Sequence, residues 1–121
     1  MQRGLIVLLF LVLAGCVKNQ VVDSTPQLPG GTFANFSPHV KQDLLNNISA
    51  WVNSKGCSSY ETQDTKYIKS DGDLLVDDYK RLRQGVLHET WVISYCGTIS
   101  TLGLVVTPDG AGGTWVSIAE Q

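Results

Sequence analysis

Between Val40 and Val52 the apolar residues return every three or four positions: Val40, Leu44, Leu45, Ile48, Trp51 and Val52. On a 3.6-residue period they form one stripe, with Lys41, Asp43, Asn46, Asn47 and Asn53 on the other side. Ser37-Pro38 supplies a start. The serine can cap free N–H groups, and proline at the first helical position gives up an N–H that has no partner there. Gly56 is the expected C-cap, with Cys57 directly after it. The polar side lacks the lysines and arginines of a helix that lies on a membrane surface, so the stripe is expected to face a core.

Beyond the helix the period shortens to two. Tyr60 to Ile68 suits a modest strand, and Asp71-Gly72 is a turn signal. Leu74 to Leu82 fits strand then loop, although Leu75, Tyr79 and Leu82 also fit a helical stripe. Val86 to Cys96 alternates most clearly. Leu87, Glu89, Trp91, Ile93 and Tyr95 share one face; Val86, His88, Thr90, Val92, Ser94 and Cys96 share the other. Gly97 begins a turn, Thr101 to Thr107 is a further strand, Pro108-Asp109-Gly110 turns the chain, and Thr114 to Ile118 closes the series. Short connections between successive strands imply an antiparallel meander. The expected fold is α+β, with one N-terminal amphipathic helix packed on a three- or four-stranded antiparallel sheet.

The chain opens on a different pattern. Arg3 precedes an unbroken apolar run from Leu5 to Leu13, then Ala14, Gly15 and Cys16. The run is shorter than the roughly 20 residues that span a bilayer as a helix, and its parts are those of a secretory signal. Leu13-Ala14-Gly15-Cys16 resembles the lipobox of bacterial lipoprotein precursors. That resemblance covers only the first sixteen residues. It implies that the Cys16 thiol receives diacylglycerol, that cleavage falls between Gly15 and Cys16, and that the new amino group can be acylated. In the enterobacterial version of this family, Asp after the cysteine signals retention in the inner membrane. Val17 stands there instead, which implies the periplasmic face of the outer membrane. The division expected is 1–15 signal peptide, 16–36 lipidated end and flexible linker, and 37–121 one small domain. Within the linker, Phe33 and Phe36 are expected to dock its end.

Charge then limits the partners. Nine basic and eleven acidic residues leave a net charge of −2. Lys80, Arg81 and Arg83 are the densest basic group, directly after Asp77 and Asp78, so no basic face offers itself to nucleic acid. With Cys16 given to lipid, Cys57 and Cys96 remain, and an oxidising compartment favours a disulfide between them. Its loop would stabilise the fold by roughly 4 kcal/mol. A Cys96 that reaches the helix end would place Val86, Val92 and Cys96 beneath the helix. Trp91, Ile93 and Tyr95 would then be turned outward.

Candidate chemistry is sparse. Counted from Asp71, an EF-hand loop would need glycine at Val76 and glutamate at Leu82, and the match fails. His39 and His88 have no ligand spacing, there is no CxxC, and no metal or other cofactor is expected. His88 and Glu89 point to opposite faces of a strand and make no simple acid–base pair. No serine sits in a G-x-S-x-G elbow, and Gly110 to Gly113 opens no helix that could hold phosphate. Aromatic residues are the remaining signal. Trp91, Tyr95 and Trp115, with Asp109 in the neighbouring turn, form the candidate binding surface, and Trp91→Ala and Tyr95→Ala are expected to spare the thermal midpoint. The function expected is a non-catalytic envelope lipoprotein whose domain binds an envelope protein or the cell wall. An inhibitor or immunity-type lipoprotein that uses the loop Asp109 to Gly113 is the alternative, and a small hydrolase that uses His88 a remote one.

Overall fold

The computed structural model describes residues 26–121, so Cys16 and the lipobox lie outside the described residues. Helix α1 (Pro38–Ser54) begins where the sequence places it. Ser37 Oγ accepts from Val40 N at 3.2 Å and donates to the Lys80 carbonyl, so one side chain both caps the helix and ties it to a distant turn. At the other end Lys55 is the C-cap and Gly56 follows with φ +84°. There Cys57 N donates to Val52 O at 3.2 Å and Gly56 N to Asn53 O at 2.9 Å. This paired closure is a Schellman motif, and it delivers Cys57 at the helix end. Val40, Leu44, Ile48 and Val52 are fully buried, one per turn of the same stripe.

Four strands follow as an antiparallel meander in sequence order: β1 (Glu61–Val76), β2 (Leu82–Tyr95), β3 (Thr98–Pro108) and β4 (Thr114–Glu120). The turn expected at Asp71-Gly72 is absent, and β1 runs straight through it. Asp71 faces Val86 while Leu75 faces Gln84, so four steps along β1 match two along β2. The surplus is taken up as a bulge, which uses the same residue types as a turn. The chain reverses instead at Asp77 to Arg81. There the Asp77 carboxylate accepts from the N–H groups of Tyr79 (2.9 Å) and Arg81 (3.0 Å) and from Arg81 Nε (2.7 Å).

The inner face of the sheet shares one apolar cluster with the helix stripe. Leu87, Trp91 and Ile93 of β2 and Leu102, Leu104 and Val106 of β3 are buried in it, with Val116 and Ile118 of β4 packed against its margin. This inverts the face expected of β2: Trp91 is 0% exposed, and Val86, His88, Thr90, Val92 and Ser94 look outward. The disulfide itself is present, joining Cys57 to Cys96 with Cα atoms 6.0 Å apart. Cys96, however, is outside the strand. Cys96 and Gly97 form the two-residue β2–β3 turn, with φ +48° and +74°, as a type I′ hairpin requires. A residue in that turn has left the alternation, so its bond to the helix says nothing about which face of β2 lies below. Tyr95 is half-buried, its ring 5.5 Å from Trp51 and edge-on to it.

Residues 28–36, expected within the flexible linker, form a strap on the inner side of β1 and β2. Gly31 N donates to Thr65 O at 3.2 Å, and Thr65 Oγ1 donates to Pro29 O. At Gly30, φ is +84° and an added Cβ would collide with the Thr65 carbonyl, so only glycine lets the strap lie this close. A 3₁₀ turn, Phe33–Asn35, follows, capped by Thr32. Beneath it lies Glu89, 2% exposed. Its Oε1 accepts from Thr32 Oγ1 (2.6 Å) and Trp91 Nε1 (2.8 Å), and its Oε2 from Phe33 N (2.7 Å). Phe33 packs against the core as expected, but Phe36 is largely exposed, and the strap is held chiefly by this polar pin.

Tyr60 links the helix to the start of β1 by donating to Leu45 O at 3.3 Å, and burial pushes its hydroxyl up to about 12. The raised value means that folding favours the neutral phenol. Its contribution to stability is complete below the unfolded value, near pH 10, and should be lost as pH rises through about 12. Ultraviolet titration should show one tyrosine ionising near pH 12, and Tyr60→Phe should remove that step. An unchanged titration in Tyr60→Phe would contradict the assignment.

Candidate functional site

The helix and the strap both cover the inner face, and no described element packs on the outer one. That open face is set by strand register. It carries Asp64, Lys66, Ile68, Lys69 and Asp71 from β1, Val86, His88, Thr90, Val92 and Ser94 from β2, Ile99, Thr101, Gly103, Val105 and Thr107 from β3, and Trp115, Ser117 and Ala119 from β4. Ile68 and Trp115 are well exposed, Trp115 to 70%. Between β2 and β4 the face dips into a groove of about 250 Å³, bordered by Ile68, His88, Thr90, Val105, Ser117 and Ala119. Gly103 forms its floor, because a residue without a side chain leaves a gap in an otherwise filled row.

Of the residues singled out for binding, only Trp115 lies on this face. Trp91 is core, Tyr95 is engaged with Trp51 at the turn end, and Asp109 sits in the β3–β4 turn. Asp109 organises that turn, since its Oδ1 accepts from Ala111 N (2.7 Å) and Gly113 N (3.1 Å). The four therefore make no common surface. What the sequence reading missed is the row Gly103–Ala119. Thr101, Gly103, Val105 and Thr107 alternate with Leu102, Leu104 and Val106, and that contrast already marks which side of β3 is open.

His88 lies on the open face with Asp71 beside it, Nε2 to Oδ2 2.7 Å, and Lys69 Nζ is 3.4 Å from the other oxygen. The hydrogen bond from His88, ahead of the Lys69 contribution, holds the Asp71 carboxyl below the usual carboxylate range. A hydrolytic triad would also need a nucleophile against His88. Ser117, the nearest serine across the groove, is separated from it by the whole of β3, roughly 10 Å between backbones. No cluster of three or more His, Cys, Asp or Glu among the described residues is placed to hold a metal ion. The geometry offers a shallow surface of apolar and hydroxyl side chains with one aromatic residue at its edge and a charged strip, Asp64, Lys66, Lys69 and Asp71, along β1. Comparison with protein-family models, curated proteins and solved structures finds no match.

Proposed function

We propose that this chain is a bacterial envelope lipoprotein, anchored through acyl chains on Cys16 to the periplasmic face of the outer membrane. Its domain is a non-catalytic module that binds an envelope protein or the cell wall. The observation that carries the binding reading is the asymmetry of the sheet. Helix and strap both lie on one side, while the other side keeps Ile68, Val92, Val105 and Trp115 in contact with solvent. Apolar side chains grouped on an uncovered face favour a partner. The anchor rests on the lipobox. Two or three acyl chains hold firmly, because each buried methylene contributes roughly 0.8 kcal/mol.

Cys16→Ser should abolish incorporation of labelled palmitate and leave the precursor unprocessed. Equal labelling of the variant would remove the anchor from the account. Binding is tested by capture from solubilised envelopes with the tagged mature chain. Val92→Arg, which charges the open face without entering the core, should lose the captured component. If Val92→Arg retains it while changes at Asn46 on the outer side of α1 lose it, the open face is the wrong surface. The inhibitor reading stands second, supported by the preformed Asp109–Gly113 turn, whose side-chain-to-backbone bonds hold a loop ready for insertion. For that reading, Ala111→Trp would abolish binding and Val92→Arg would not.

A further inference from the structure

The two edges of the sheet are treated differently. β1 is irregular, with register shifts at three places before its end; it carries Lys66 and Lys69, and the strap occupies part of its edge through Gly31 and Thr65. These are the devices by which sheets keep other strands away. β4 has none of them. Its register with β3 is unbroken from Leu102–Glu120 to Pro108–Thr114. Its seven residues, Thr-Trp-Val-Ser-Ile-Ala-Glu, hold no proline or lysine and one terminal charge.

The direction of its backbone groups follows from register. Gln121 N donates to Thr101 O at 2.8 Å and Asp109 N to Gly113 O at 3.0 Å, on the same diagonal as the strand pairing. Odd-numbered residues of β4 therefore bond to β3, and the N–H and C=O groups of Thr114, Val116, Ile118 and Glu120 point away from the sheet. On the outer face the order is large, small, small: Trp115, Ser117, Ala119. Trp115 is 70% exposed and does not border the groove of its own chain, which lies at the other end of β4.

We propose that β4 is an interface between two copies of this chain, paired antiparallel about Ser117. This register uses the whole strand. It brings the outward backbone groups of Val116 against those of Ile118 in the second copy, and those of Thr114 against those of Glu120. It also sets Trp115 directly opposite Ala119 of the second copy, with Gly103 of that copy next in the row. Two strand spacings of about 4.8 Å separate Trp115 from Gly103 of the second copy, so the indole lies across Ala119 and its edge meets the near side of the groove. The exposed tryptophan of each copy thus covers the near side of the other's groove. The Gln121 side chain, which lies over Gly103 in the single chain, is the group it displaces. Pairing joins two open faces into one and leaves Ile68, Val86 and Val92 free for the envelope target.

Ser117 lies on the axis as a non-hydrogen-bonded pair, with Cα atoms about 4.5 Å apart, which suits a disulfide. The test is mild oxidation of full-length Ser117→Cys in intact membranes. Cys57 and Cys96 are already bonded to each other and do not interfere. A cross-linked dimer is expected from Ser117→Cys and not from Thr101→Cys on the same face of β3. Adding Trp115→Ala should weaken self-association of the detergent-solubilised chain about tenfold, read by sedimentation. Several results would overturn the proposal: no dimer from Ser117→Cys, equal cross-linking at Thr101→Cys, a mixed disulfide with another protein in place of the dimer, or unchanged association without Trp115.

Discussion

Glu89→Ala should lower the stability of the domain by about 5 kcal/mol, the largest single effect expected. The carboxylate is buried and takes three hydrogen bonds: from Thr32 Oγ1, Phe33 N and Trp91 Nε1. Alanine would leave all three donors in a dry site. Each orphaned group costs about 1–3 kcal/mol, and the losses are not simply additive because water can enter as the strap lifts. Glu89→Gln keeps one acceptor and turns an NH₂ group towards a donor, so it should recover only part of the loss. Denaturant unfolding measures the difference. A loss below about 1 kcal/mol in Glu89→Ala would show that the strap is not held by this pin.

Trp91→Ala should cost nearly as much, about 4–5 kcal/mol, because it removes the largest buried side chain of the domain and also one donor to Glu89. For a domain of this size that corresponds to a fall in thermal midpoint of about 20 °C or more. Trp115→Ala, on the same sheet but 70% exposed in the single chain, should leave the stability of the monomer, measured at dilution where copies do not pair, within about 0.5 kcal/mol of the parent. The contrast between two tryptophans of one sheet checks the face assignment. Equal effects would contradict it.

The sequence made the helix legible because three signals agreed: the stripe from Val40 to Val52, the Ser37-Pro38 start and the Gly56 stop. The disulfide was legible for a different reason, the count of cysteines once Cys16 is set aside. The outward face of β2 was misread, although Leu87, Trp91 and Ile93 outweigh Val86, Thr90 and Val92 in apolar size. Bulk points inward for the right set, and only the Cys96 bond argues for the other. That bond belongs to a turn residue with φ +48°, where strand alternation no longer applies. Asp71-Gly72 misled in the same manner, since a bulge and a turn ask for the same residues and differ only in what the partner strand does. The strap was illegible for a physical reason. It is held by backbone bonds and by one buried carboxylate 57 residues from its hydroxyl partner, and no local period records such a contact.

These same residues define the surface on which the functional account depends. Val92 stands on the open face towards the C-terminal end of β2, clear of the core and of the β4 edge. A photoreactive amino acid placed there, in the full-length chain in intact envelopes, reports what touches that face. A discrete adduct is expected from Val92, either with one envelope protein or by covalent attachment to cell-wall sacculi, and none from the same probe at Asn46 on the solvent side of α1. Adducts from Asn46 with none from Val92 would contradict it.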